Sequence, residues 1–202
     1  MPPLCCGGDD VRRKISGCRF SLYPMDSQFV PIILDALEKT DTSAVWSQSD
    51  ALSTIYRGAL PYVTDAVRGL FVNAWRPRAH MALEGQISRG CPGDIAGDSL
   101  LDRQGPAPNE AAAAVHFPAL CKLSLYPMGT GDYISHIARA VELAKDFGLQ
   151  TQSIHYATRV SGDIQDIFAY LQSVCAATEA AVPHYVLHFT ISVNSPTKEE
   201  TV

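Results

Sequence analysis

Charge is scarce in this chain. Only 18% of its 202 residues are Asp, Glu, Lys or Arg, and the formal balance is −5. A mildly acidic chain lacks the basic face that nucleic acid demands, so no nucleic-acid partner is expected. No apolar run approaches the roughly 20 residues that cross a bilayer, so no direct membrane insertion is expected. The opening MPPLCCGGDDVRRK has no apolar segment of secretory type; it reads as a flexible tail over residues 1–15 of a cytoplasmic protein. Six cysteines occur without a CxxC pair, so no metal is expected. Cys18 and Cys121 read as small buried apolar residues in a reducing compartment. GxSxG, HExxH, the P-loop and GxGxxG are all missing, and the six histidines are scattered. No catalytic residue and no cofactor is therefore assigned, and a binding protein is expected rather than an enzyme.

Hydrophobic residues make up 47%, enough to bury a core in one large domain or in two of about 100 residues. The clearest positive signal is a repeat. CRFSLYPM begins at Cys18 and CKLSLYPM at Cys121, so Tyr23 recurs as Tyr126, 103 positions on. One inserted residue near Gly129–Gly131 raises the offset to 104, which then holds from Phe29/Tyr133 through Gly58/Gly162 to His80/His184. A period this long points to a duplicated domain, not to a solenoid of 20–50-residue units.

Each copy reads as the same series of elements. GCRFSLYP alternates, with Cys18, Phe20 and Leu22 on one face and Arg19, Ser21 and Tyr23 on the other, as a one-sided strand does. Asp26 or Ser27 is placed to cap a helix with Phe29, Ile32, Ile33, Ala36 and Leu37 on its apolar stripe. SAVWSQSD and LSTIYRG follow as short strands. Pro61 suits the first turn of a second helix, and HMALEGQIS is a closing strand. The second copy repeats β-α-β-β-α-β, the order of a ferredoxin-like split βαβ unit. The expected organisation is a first domain over 16–92, a Gly/Pro/Asp-rich linker over 93–118 with a short helix at NEAAAAV, a second domain over 119–196, and a tail over 197–202. The fold class is α+β: tandem ferredoxin-like (ACT-like) domains, each with its own antiparallel sheet, helices on one face and the other face open.

The open faces should carry Arg19, Ser21, Tyr23, His80, Glu84, Gln86 and Ser88 in the first copy. In the second they should carry Lys122, Ser124, Tyr126, His184, His188, Thr190 and Ser192. Such a face is solvated, covered by a partner, or used for a ligand. The second and third strands join in hairpins that differ: WSQSDALSTIYRG offers Trp46, Asp50, Ser53 and Thr54, whereas TQSIHYATRVSG offers His155, Tyr156 and Thr158. The first site is thus the more acidic, and a cation is expected to prefer it.

The paired SLYPM motifs, the run KTDTSAVWSQSDALSTIYRG, the turn GCPGD and the segment IHYATRVSGD resemble the YkoF family from about Gly17 to about Pro196. The resemblance implies a homodimer of tandem ferredoxin-like chains. It implies binding of thiamin and its hydroxymethylpyrimidine (HMP) precursor at one site per domain, in salvage or uptake, with a link to a thiamin-precursor transporter. An aminopyrimidine needs both donors and acceptors, and its flat ring suits aromatic stacking. The expected ligand-binding residues are Ser21, Tyr23, Trp46, Gln48, Asp50, Ser53, Thr54, Glu84, Gln86 and Asp94 in the first copy. In the second they are Ser124, Tyr126, Ser153, His155, Thr158, His188, Thr190 and Asn194. A thiazolium cation would favour Asp50, Glu84 or Asp94, or an aromatic face. Two other readings stay open at this point. One is a ferredoxin-like hydrolase of a small phosphorylated metabolite, using Arg19 or Arg57 with Asn194. The other is an oligomeric regulatory module without a small ligand.

Overall fold

The computed structural model describes residues 15–89 and 103–197. The first copy runs β1 (Ser16–Met25), α1 (Phe29–Lys39), β2 (Trp46–Ser49), β3 (Thr54–Gly58), α2 (Leu60–Ala74) and β4 (His80–Arg89). A one-turn helix, α3 (Glu110–Ala113), precedes the second copy. That copy runs β5 (Pro118–Met128), α4 (Tyr133–Leu143), β6 (Gln150–Ile154), β7 (Ala157–Asp163), α5 (Ile164–Glu179) and β8 (His184–Val193). Both copies therefore have the β-α-β-β-α-β order that their alternation and helical spacing predict, and both are ferredoxin-like.

Local chemistry accounts for most element ends. Pro61 sits in the first turn of α2, where its missing N–H costs nothing. Asp163 caps α5 by accepting the Gln165 amide. The cap expected for α1 differs. Asp26 Oδ1 accepts the Gln28 amide at 2.8 Å in a turn before the helix, and Gln28 takes the N-cap position with no side-chain bond.

The two copies do not form two sheets. They share one eight-stranded sheet in the order β2-β3-β1-β4-β8-β5-β7-β6, joined where β4 and β8 pair antiparallel from Met81/Val193 to Arg89/Tyr185. Each copy alone would leave its last strand as an open edge, and pairing the two satisfies both rows of backbone groups. The remaining edges, β2 and β6, are four and five residues long and mostly polar, which limits further strand addition. Gly85 faces Phe189 across the junction, and these two residues are repeat mates, so they lie on the pseudo-twofold axis. A Cβ on Gly85 would stand 2.7 Å from Phe189 Cζ and 3.3 Å from Phe20 Cβ. Two large side chains cannot share that axis; the duplicated chain has put a glycine on one side and a phenylalanine on the other.

The central helices α2 and α5 carry the core. Twelve residues of α2 and eight of α5 are buried, and Phe71 meets Phe168 between them at 6.3 Å. The segment before β5 is fastened to this layer. Buried Asp65 accepts bonds from the Asn109 backbone and side-chain amides and pairs with Arg68, and Phe117 stacks on Trp75 at 4.5 Å. The outer helices are held far more loosely: α1 buries only Ile32 and Ala36, and α4 only Ala140. Phe29, Leu34 and Leu37, with Tyr133, Ile134 and Ile137, remain exposed. The apolar stripe predicted for α1 is thus only partly core.

Candidate ligand-binding site

A cavity of about 840 Å³ opens in the second copy, under the loosely held α4. Pairing between β5 and β7 stops at Leu123/Thr158. Beyond that point the C-terminal half of β5 and the tip of the β6–β7 hairpin part company, and the cavity fills the split. Leu123, Leu125, Pro127 and Met128 form its floor, and Tyr133, Ile137, Ala140 and Val141 come from α4. Thr151, Gln152, Ser153, Ile154, Tyr156, Ala157 and Thr158 come from the hairpin, and Ser124 and Tyr126 from β5. None of these side chains is charged. The walls offer apolar surface, phenol rings, hydroxyls and one carboxamide, a set suited to a small planar molecule with both donors and acceptors.

Four of the expected second-copy residues, Ser124, Tyr126, Ser153 and Thr158, meet at this cavity. His188 and Thr190 do not. They lie on the open face of the sheet, where His188 Nε2 stands 3.3 Å from Glu84 Oε1 across the junction of the two copies. His155 is exposed at the hairpin tip beside Tyr156 and is not a cavity wall. Asn194, with φ of 53°, donates to the carbonyls of Arg76 and Ala79 and so closes the turn before β4. Arg19 is engaged with Asp50 and Ser53 and Arg57 lies over Trp46, so neither arginine considered for a phosphate hydrolase is paired with Asn194.

The first copy has matching positions. Ser21 and Tyr23 stand where Ser124 and Tyr126 do, and Ser49 and Thr54 where Ser153 and Thr158 do, with their hydroxyls 2.8 Å apart. Gln48 is the mate of Gln152 and is exposed on β2. Trp46 is displaced from this group: it pairs with Arg57 at the far end of β2, and the Arg57 guanidinium lies over its ring at 5.5 Å. One face of the expected stacking platform is therefore occupied. Gln86 is exposed on the open sheet face, and Asp94 lies outside the described residues.

Asp50 has a different task from the one expected. Its Oδ1 accepts the amides of Leu52 and Ser53 at 2.8 and 2.9 Å. Its Oδ2 is 3.1 Å from Arg19 Nη1, which also donates to Ser53 Oγ at 2.7 Å. The two backbone N–H groups, and then Arg19, hold its carboxyl below the usual aspartate range. The charge expected to draw a cation to the first site is already balanced by Arg19.

Sequence reasoning missed the cavity's apolar half. Tyr133, Ile137 and Val141 sit at helical spacing and read as ordinary core. Gln152 had a signal, since it is the repeat mate of Gln48.

A family model described as the YKOF-related family matches residues 15–94 and 118–198, once per copy. The Bacillus subtilis (strain 168) protein YkoF, provisionally named as HMP/thiamine-binding, is 39% identical over 187 residues, covering 92% of this chain and 94% of its own. Two solved structures are also similar. A hypothetical protein from Methanocaldococcus jannascii is 19% identical over 42% of this chain and 88% of its own, with a TM-score of 0.37. A Thermotoga maritima protein provisionally named for thiamine biosynthesis/salvage is 19% identical over 38% and 84%, with a TM-score of 0.35. The family model falls on both repeats and the Bacillus relative runs along nearly the whole length; this chain belongs to the YKOF-related family.

Proposed function

We propose that this protein binds HMP and thiamin without transforming them, serving thiamin-precursor salvage or uptake. The uncharged, tyrosine-walled cavity of the second copy carries this reading. An aminopyrimidine there would stack on Tyr126 or Tyr133, with Gln152, Ser153 and Thr158 meeting its ring nitrogens and exocyclic amine. A thiazolium would be held by tyrosine faces at the mouth, since no carboxylate lines it. The name of the Bacillus relative supports the ligand class. A second, equivalent site is proposed in the first copy around Ser21, Tyr23, Ser49 and Thr54, beneath exposed Phe29. The chain is proposed to act as a homodimer.

Titration calorimetry with HMP, thiamin and a small phosphate ester tests the reading. HMP and thiamin should both give heat, with two molecules bound per chain, and the ester none. Tyr126→Ala should weaken HMP binding about tenfold, the loss of one stacked ring. Failure of both ligands to bind would overturn the proposal, and one molecule per chain would remove the first-copy site.

A further inference from the structure

The two hairpin tips are repeat mates, yet they are held differently. In the first copy β1 stops pairing with β3 at Phe20/Thr54 while it stays paired with β4 as far as Met25/His80, so the tip parts from the C-terminal half of β1. Three side chains secure it there. Arg19 grips Asp50 and Ser53, Asp50 accepts the Leu52 and Ser53 amides, and the Ser21 hydroxyl donates to the Leu52 carbonyl at 2.9 Å.

In the second copy the tip parts from β5 at the matching point, because β5 stops pairing with β7 at Leu123/Thr158 but stays paired with β8 as far as Met128/His184. The mates of Asp50 and Ser53 are Ile154 and Ala157, whose side chains have no polar atom with which to hold a turn. Lys122 replaces Arg19. The Ser124 hydroxyl still reaches the tip carbonyl of Tyr156, at 3.3 Å. At this tip, a two-residue turn between paired Ile154 and Ala157 that keeps the serine bond but lacks the Asp50-type latch, stands Tyr156, with φ of 66° and full solvent exposure, on the rim of the cavity. A tyrosine in the left-handed region is uncommon, and an aromatic ring left wholly in water beside an apolar cavity has surface to bury by turning inward.

We infer that the β6–β7 tip is a lid: it closes over a planar heteroaromatic guest and lays the Tyr156 ring across it, whereas the latched first-copy tip is a fixed wall. This rests on the proposed binding of HMP in the cavity. A lid that closes after entry slows escape more than entry, so its removal should appear in the off-rate.

The test is HMP binding to the full-length chain by surface plasmon resonance, with hydrogen exchange measured alongside. Tyr156→Gly removes the ring and suits the positive φ, so the variant should melt no lower than the wild type. Its off-rate for HMP should rise about tenfold with the on-rate nearly unchanged, the effect of one lost ring stack. Tyr156→Phe should behave like the wild type. Saturating HMP should slow exchange over residues 152–158 and change it little over residues 48–54. If HMP binds and Tyr156→Gly releases it at the wild-type rate, the lid is wrong and the binding reading stands. A Tyr156→Phe variant as weak as Tyr156→Gly would also overturn it, because a hydroxyl contact and not a covering ring would be responsible. If HMP does not bind the wild type at all, both the lid and the binding reading fall.

Discussion

Asp50 shows how a residue with plausible binding chemistry can be committed to structure instead. Its depressed carboxyl pKa has a consequence for pH. A carboxyl whose folded value lies below its unfolded value contributes stability above the ordinary aspartate range, and that contribution is lost as pH falls through the lowered value. The latch should therefore hold at neutral pH and release only below about pH 4, the ordinary aspartate range. Amide NMR shifts of Leu52 and Ser53 should titrate together in that acid window. In Asp50→Asn they should be flat across it, and a wild-type midpoint above pH 5 would contradict the hydrogen-bond account. Cys18 and Cys121 are buried, as their shared position in the motif suggests, and Cys175 on α5 joins them. Burial pushes the Cys121 and Cys175 thiols up to about 12, so they remain protonated filling of the core.

At the scale of elements, the β4–β8 junction decides the architecture, and Gly85 is its tightest point. Gly85→Ala would drive a methyl group into the Phe189 ring. Overpacking of this kind costs about 1–3 kcal/mol, visible as a lower urea midpoint. Shortening the opposing side chain in Gly85→Ala/Phe189→Leu should recover part of the loss. A Gly85→Ala protein as stable as the wild type would mean that the junction is looser than the 2.7 Å approach implies. The outer helices show the opposite regime. α1 and α4 carry apolar residues on more faces than the sheet can cover, and under α4 that surplus becomes the wall of a cavity. Their helical spacing was legible, but it does not say whether a stripe meets side chains or a space.

For the molecule as a whole, the broad open face of the eight-stranded sheet carries a mixed surface. Tyr23 and Tyr126 are about half exposed, and Glu84, Gln86, Lys122 and Thr190 lie between them. A second copy is the proposed cover, and its signature is the mass in solution. Light scattering at micromolar concentration should give twice the chain mass of 21.9 kDa. Val186→Asp, which places a charge on that face, should shift the mass toward one chain while leaving far-ultraviolet circular dichroism unchanged. A wild-type mass of one chain would remove the proposed homodimer and leave the cavity untouched. None of the described helices is long and apolar enough to cross a membrane.

The sequence by itself determined what depends on neighbours along the chain. Period-two alternation in β1 and β5, helical spacing in α2 and α5 and Pro61 at a helix start all act over a few residues, and with the near-constant repeat offset, which is read by comparing the chain with itself, they specify two β-α-β-β-α-β units. Only the tertiary structure decided what depends on residues far apart. The pairing of β4 with β8 joins strands about a hundred positions apart, and nothing local distinguishes one long sheet from two short ones. The cavity exists because α4 stands off the sheet at the split between β5 and β7, a matter of how layers pack. The roles of Asp50, Trp46 and Asn194 were settled by partners brought to them in space: Arg19, Arg57 and the carbonyls of the α2–β4 turn. Side-chain chemistry states what a residue is able to bind, and the fold determines which of its partners arrives first.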